Sequence, residues 1–286
     1  MSALPKFKPE IKQELEYSDF EFFQRLIFSI AGINISPQKK ELIRSRISKR
    51  VKSLGLGGYS EYRSYLESIP KRHEEWTHFT NALTTNKTEW FREKGHFDYL
   101  KEKVIPLLSQ RGQKVKVWCA ASSTGEEAYT LAFLLESHLK GKDYEIHASD
   151  IDTEALCKAQ NGVYRKGLAL AQTPKEYLSF FDNGREEIQE WVRVNKKIKE
   201  KIKFFQKNLL EAPERKNMYD IVFCRNVLIY FETPTITKII ENLRQSSKKD
   251  ALLFVGHSES LQNVQTEYKY KGSSIYIKGK YFASNL

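Results

Sequence analysis

The sequence predicts an α/β protein: a doubly wound, mostly parallel sheet with a small inserted antiparallel β-subdomain, preceded by a small all-α N-terminal domain. Three observations lead there. Up to about residue 80, apolar side chains recur at three and four, with no strand-like run. After Arg92, short β-branched runs alternate with helical segments, which is the pattern of βαβ units. Residues 185–207 then switch to a period of two. The expected domains are therefore 1–80, helical, and 81–286, doubly wound, with the insert at about 185–207.

In order, DFEFFQRLIFSIAGI predicts a helix stopping at Gly32. SPQKKELIRSRISKRVKSLGLGG predicts a second, with Ser36 as N-cap and Pro37 at the first position. Ile43, Ile47 and Val51 share one of its faces, and Arg46, Lys49 and Arg50 another. EYRSYLESI and HEEWTHFTNALTT complete the helical part. KVKVWCAA (114–121), YEIHASD (144–150), YDIVFCRN (219–226), ALLFVGH (251–257) and SSIYIKG read as strands, with helices such as EEAYTLAFLLESHLKG and TPTITKIIENLRQS between them. KGLALAQTPKEYLSFFDNG adds helix up to Gly184. In the insert, WVRVN and KIKEKIKFF alternate apolar and polar, predicting an antiparallel ribbon of two or three strands. Its eight Lys/Arg against four Glu make either a functional surface or a solvated edge that resists aggregation.

Composition narrows the function. The 286 residues are 40% hydrophobic and 13% aromatic, too apolar for a disordered chain. Mean hydropathy is −0.56 and no apolar run approaches a membrane span. The first twenty residues lack the apolar stretch of a secretory signal, so a cytoplasmic location is expected. Forty-seven Lys+Arg against 36 Asp+Glu give +11, which favours an acidic partner without choosing between nucleic acid, anionic lipid and protein. Cys119, Cys157 and Cys224 form no CxxC, and the six histidines no HxxxH or HExxH, so neither a disulfide framework nor a metal is expected.

The chemistry is concentrated after the first strand. Ligands of a doubly wound sheet bind beyond the carboxyl ends of its strands. The loop there, Ala121-Ser122-Ser123-Thr124-Gly125-Glu126-Glu127, is small enough for close backbone approach but lacks GxGxxG and any Walker lysine. Two carboxylates at the helix start would repel a pyrophosphate and attract a cation. A ligand with an ammonium and a sulfonium but no phosphate, S-adenosylmethionine, suits it. Glu126 is read as complementing the helix dipole, and Glu127 as binding the ligand. Asp150, ending the second strand about 25 residues after the glycine turn, is where a carboxylate takes ribose hydroxyls. Asp152 reads as an N-cap.

Five segments together resemble the chemotaxis receptor methyltransferases, the CheR-type protein-glutamate O-methyltransferases: NALTTNKTEWFRE, VWCAASSTGEEAY, ASDIDTEAL, IVFCRNVLIYF and LLFVGHSESL. The resemblance covers essentially the whole chain. It implies a Rossmann-like S-adenosylmethionine-dependent methyltransferase domain, with Asn86, Thr88 and Arg92 contacting the cofactor and Arg92 pairing with its carboxylate. It further implies that Glu127 takes the amino group, Asp150 the ribose, Asn208 and Leu209 the adenine, and that Asn226 and Val227 line the pocket. Tyr230 would face the methyl group. Arg46, Lys49, Arg50 and Lys52 would meet the acidic methylation region of the receptor, making 1–80 a receptor-recognition domain. The product would be S-adenosylhomocysteine, and the enzyme a monomer without nucleic-acid partner or membrane insertion. Members that dock a receptor tail carry a glycine-rich loop in the ribbon; DNGREEIQEW has only Gly184, so recognition without a tether is expected.

The implied reaction is an in-line displacement by a glutamate oxygen, which is ionised at neutral pH with a pKa of about 4.3 and needs no general base. Arg92 and Tyr230 are its expected catalytic residues. Two alternatives stand beside it: a nucleic-acid methyltransferase, against which NVLIY lacks the Asn-Pro-Pro-Tyr pattern, and a non-catalytic receptor-binding adaptor. His257 reads as a structural histidine at a strand end.

Overall fold

A computed structural model of the chain describes residues 14–279, apart from 140 and 142. The chain divides after Thr85 into two compact units.

The first unit holds α1 (Tyr17–Ala31), α2 (Lys40–Ser53), α3 (Tyr59–Ser68) and α4 (Glu75–Leu83). Helix α1 ends where expected, on Gly32 at φ +72°, whose N–H returns to the Phe28 carbonyl. Ser36 does not cap with its side chain; Pro37 instead opens a short 3-10 turn leading into α2. Phe20, Phe23 and Ile27 of α1, Ile43, Ile47 and Val51 of α2, Tyr62 and Leu66 of α3 and Phe79 of α4 are all fully buried. Each such side chain is worth roughly 1.5–3 kcal/mol, so this core holds the helices together.

The second unit begins with α5 (Lys94–Tyr99) and α6 (Ile105–Gln110), followed by β1 (Val115–Ala120), α7 (Glu126–His138), β2 (Tyr144–Asp150) and α8 (Thr153–Asn161). Then come β3 (Val163–Arg165), α9 (Lys166–Gln172), β4 (Phe181–Asn183), β5 (Trp191–Val194), α10 (Lys196–Lys199) and β6 (Ile202–Gln206). The chain closes with β7 (Tyr219–Cys224), α11 (Thr233–Ser246), β8 (Ser247–Phe254), β9 (Tyr268–Gly272) and β10 (Ile275–Lys278). The main sheet has the order β6-β2-β1-β7-β8-β10-β9. Strands β6, β2, β1, β7 and β8 are parallel, and β10 and β9 antiparallel. Val117, Cys119 and Phe223 face the core containing α7, and Trp118, Val222 and Leu253 the core containing α11. Strand order reverses at β1, which lies between β2 and β7, so the crevice for a ligand opens beyond Ala120 and Cys224.

The predicted ribbon over 185–207 needs correction. Only Trp191–Val194 belongs to the small antiparallel sheet, whose order is β3-β5-β4, so its other strands come from residues 163–165 and 181–183. Residues 196–199 form one helical turn, capped by the Asn195 side chain accepting from the Ile198 N–H. Residues 202–206 pair in parallel with β2 as an outer strand of the main sheet. Period two marks any strand buried on one face, and an edge strand of a parallel sheet shares that pattern with a ribbon. Strand β9 also escaped the sequence reading.

Candidate active site

The loop after β1 is tightly wound: Ala121, Ser123 and Gly125 have φ of +64°, +49° and +98°. A Cβ on Gly125 would lie 2.9 Å from Ala159 Cβ, so only glycine lets this loop close on α8. Asp150 secures the loop, its two oxygens accepting from the N–H of Ser123 (2.7 Å) and of Asp152 (2.9 Å). A carboxylate has lone pairs to spare for a hydroxyl beyond these two. Asp152 is the N-cap the sequence predicts, accepting from Glu154 and Ala155 N–H, and its other oxygen accepts from the Asn86 amide at 2.6 Å. The Asn86 carbonyl accepts from the Ser123 hydroxyl. Asn86 thus fastens the start of the Asn86–Arg92 segment to both loops. Downstream, Trp90 is buried among Tyr129, Phe133, Tyr164 and Phe181, and Phe91 stacks on Tyr177. Thr88, between these anchors, is half-buried.

Arg92 has no carboxylate partner among the described residues; its guanidinium donates to the Lys87 carbonyl. It does not pair with Glu89 or Glu93, its sequence neighbours, so its fork remains open to an anion. Glu127 lies in a largely buried position. Its Oε1 accepts from the Cys119 thiol at 3.1 Å, and its Oε2 lies 3.0 Å from Arg225 Nη1. That Nη1 makes no aligned hydrogen bond, so the carboxylate is short of donors. Burial raises the Glu127 carboxyl, with Arg225 and the Cys119 thiol opposing. A ligand ammonium would supply what this carboxylate lacks, so the residues present fit the amino-acid end of S-adenosylmethionine.

With the ammonium placed on Glu127, as proposed below, a pH dependence is expected. A bound ammonium favours the ionised carboxylate and lowers its pKa. Affinity is complete above the raised pKa of the free protein and weakens as pH falls through it. Calorimetric titration with S-adenosylhomocysteine should therefore show weakening on acidification, accompanied by proton release, and Glu127→Gln should flatten the profile. An equally steep profile in the variant would remove Glu127 from this role.

Arg225 was missed by the sequence reading. Its side chain is fully buried and packs over Phe97 and Phe223. Nη2 donates to the Arg92 carbonyl (2.6 Å) and to Glu93 Oε2 (2.9 Å). One guanidinium thus joins the backbone of Arg92 to the Glu127 carboxylate. The signal was available: the apolar run IVFC, closing a strand buried along its whole length, leads directly into a charge. Glu93, at φ +58°, also accepts from the Asn226 amide at 3.0 Å. Burial works to raise the Glu93 carboxyl, but Asn226 and Arg225 outweigh it and hold it at about 2.

The loop after β7 is held by another residue the sequence did not single out. Glu259, 6% exposed, accepts from the N–H of Gly256 (2.5 Å), Asn226 (2.8 Å) and Leu228 (2.7 Å). Asn226 stands at φ +57°, and a Cβ on Gly256 would come within 2.5 Å of its amide. Val227 is half-buried, and the short helical turn Leu228–Tyr230 follows. The Tyr230 hydroxyl has no partner among the described residues. On the far side, Asn208 Oδ1 accepts from the Leu210 N–H, and the buried Leu209 offers its carbonyl to Asn242. Glu127, Asp150, Asn208, Leu209, Asn226, Val227 and Tyr230 lie at or just beyond the carboxyl ends of the strands, and Asn86, Thr88 and Arg92 on the segment fastened to the loops there.

The cations of α2 divide into two kinds. Arg46 donates to the carbonyls of Leu83 and Thr84 and to the Thr85 hydroxyl. Arg50 makes a bidentate pair with the buried Glu75, which also accepts from the Tyr62 hydroxyl. Both arginines therefore hold the helical unit together. Lys49 and Lys52 are exposed and have no ion-pair partner among the described residues.

Residues 86–277 match the family described as CheR methyltransferase, SAM binding domain, and residues 18–84 match CheR methyltransferase, all-alpha domain. With this strand order and a loop unsuited to pyrophosphate, the second unit is an S-adenosylmethionine-dependent methyltransferase. The chemotaxis protein methyltransferase of Salmonella typhimurium is 36% identical over 277 residues, covering 95% of this chain and 94% of its own. That of Escherichia coli is 35% identical over 278 residues, 95% of each chain, and chemotaxis protein methyltransferase 2 of Pseudomonas aeruginosa is 36% identical over 270, covering 92% and 95%. The chain belongs to the CheR family of chemotaxis methyltransferases. No helix among the described residues is long and apolar enough to cross a membrane.

Proposed function

We propose that the enzyme methylates glutamate side chains of methyl-accepting chemotaxis receptors, forming methyl esters, and that it works in the cytoplasm as a monomer. The observation that carries this reading is a contrast in the pocket. Glu93, Arg225 and Glu259 are spent on structure, while the Arg92 fork and the Tyr230 hydroxyl have no side-chain partner. S-adenosylmethionine supplies a methyl group on a cationic sulfur. Arg92 binds its carboxylate, Glu127 its ammonium and Asp150 the ribose, while Asn208 and Leu209 flank the adenine. Asn86 and Thr88 shape the near wall, and Asn226 and Val227 the floor. Tyr230 donates a hydrogen bond to the incoming glutamate and aims it. Nothing need remove a proton, because the nucleophile arrives ionised, so orientation does most of the work.

Incubation with labelled cofactor and receptor-bearing membranes tests the reaction. A label released as methanol by mild base marks a carboxyl ester; a base-stable label would exclude one. Tyr230→Phe should slow transfer by about 10- to 100-fold with cofactor affinity nearly unchanged, since one hydrogen bond to a charged group is lost. Equal losses in both quantities would give Tyr230 a purely structural part.

For receptor recognition, Lys49 and Lys52 replace the full basic set as the surface-active cations. A Lys49→Ala/Lys52→Ala variant should raise the KM for receptor and flatten its salt dependence, with self-screening over about 10 Å at 0.1 M salt. An unchanged salt slope would place recognition elsewhere. Arg46→Ala and Arg50→Ala should chiefly lower stability. In the small sheet, the segment between β4 and β5 carries only Gly184, whose added Cβ would lie 1.9 Å from the Ile188 carbonyl. The lack of a glycine-rich loop there favours recognition without tail docking.

A further inference from the structure

We propose that Glu93, His96 and His257 form a binding site for one divalent transition-metal ion of the zinc class, and that this ion opposes cofactor binding. The three side chains each offer a ligand atom, and those atoms all lie within 4.8 Å of one another. The independent observation is the state of His96. Its side chain is fully buried, and Nε2 lies 2.7 Å from the Ser273 carbonyl. A carbonyl only accepts, so Nε2 carries the hydrogen and the neutral ring presents a bare lone pair at Nδ1. That buried Nδ1 has no hydrogen-bond partner. It faces another lone-pair bearer, Glu93 Oε2, at 3.7 Å. Oε2 already accepts from Arg225, so the deficit lies at Nδ1, a buried lone pair with no donor that a cation relieves.

A metal-bound histidine commonly donates its second ring N–H to a backbone carbonyl, which fixes tautomer and orientation as Ser273 does here. Zinc–nitrogen and zinc–oxygen bonds of about 2.0–2.2 Å place neighbouring ligands roughly 3–4 Å apart. Glu93 and His96 already meet that spacing. His257 is exposed, its ring 4.8 Å from that of His96 and nearly perpendicular to it, and a side-chain rotation closes the remaining gap. Two imidazoles and one carboxylate suit zinc, cobalt or nickel rather than magnesium or calcium.

Antagonism follows from Glu93, whose two oxygens hold the Asn226 amide and the Arg225 guanidinium. An ion on Oε2 brings a second positive charge beside Arg225 and loosens both contacts. This half rests on the reading of those residues as part of the cofactor pocket; the metal-binding half does not. By linkage, cofactor weakens the ion by the factor the ion weakens cofactor.

The experiment uses the tag-free, metal-free full chain and its His257→Ala variant. Variant folding should be normal because the ring is exposed, and the His257 backbone N–H remains. Co²⁺ titration followed by visible absorption should give one site in the wild type and at least about tenfold weaker binding in the variant. Calorimetry with S-adenosylhomocysteine should show affinity falling when Zn²⁺ is added to the wild type and holding in the variant. Equal Co²⁺ binding by the two proteins overturns the site, whatever the enzyme methylates. Site-specific Co²⁺ binding with cofactor affinity indifferent to Zn²⁺ overturns the antagonism.

Discussion

Glu259→Gln is expected to slow methyl transfer by about 100-fold, or roughly 2.7 kcal/mol, and to lower the unfolding midpoint measurably. The carboxylate accepts from Gly256, Asn226 and Leu228 N–H, and the Ile229 N–H also contributes. An amide keeps one oxygen for these donors and turns an NH₂ toward the rest, so buried N–H groups face a donor. Each such loss costs about 1–3 kcal/mol. The loop they hold carries Asn226 in a left-handed conformation and, within the next turn, Tyr230. Freed, it has no reason to keep either in place. Single-turnover transfer and urea unfolding check this together. A rate within about threefold of wild type would show that the loop holds its shape without the carboxylate.

Arg225→Met should produce the largest loss of stability, on the order of 3–5 kcal/mol, because it strands Glu93 and Glu127 without their shared cation. The variant should also lose S-adenosylhomocysteine binding, since the Arg92 backbone is no longer fixed relative to Glu127. Arg225→Lys should rescue little: a lysine ammonium is a point charge and cannot reach a carbonyl and two carboxylates on different sides as the planar fork does. Urea denaturation and calorimetry measure both effects. Rescue to wild-type affinity by lysine would mean that charge alone, and not the fork, organises the pocket.

Much of this pocket was legible because its chemistry is local. The tight small-residue loop after β1 and the Asp152 cap are each set by a few consecutive residues, and the structure shows both. What escaped was non-local. Arg225 and Glu259 act across separations in sequence that no window spans: residue 93 with 225, and 226 with 259. The same limit explains the basic helix, where spacing put Arg46 and Arg50 on a shared face but could not reveal Glu75 beneath one and the carbonyls of Leu83 and Thr84 beside the other. It also explains the insert, since alternation tells which faces are buried and not which strand lies alongside. The glycine at 256 follows the same rule: its lack of a side chain matters only because Asn226 packs against it.

The order of the main sheet has a bearing on how evenly the pocket is supported. Glu127 and Arg225 follow β1 and β7, each flanked by strands on both sides, whereas Asn208 and Leu209 follow β6, which has a neighbour only in β2. On the proposed assignment, one end of the cofactor lies over strands flanked on both sides and the other over the margin of the sheet. Discrimination should be strict for the zwitterionic head and lenient for the purine.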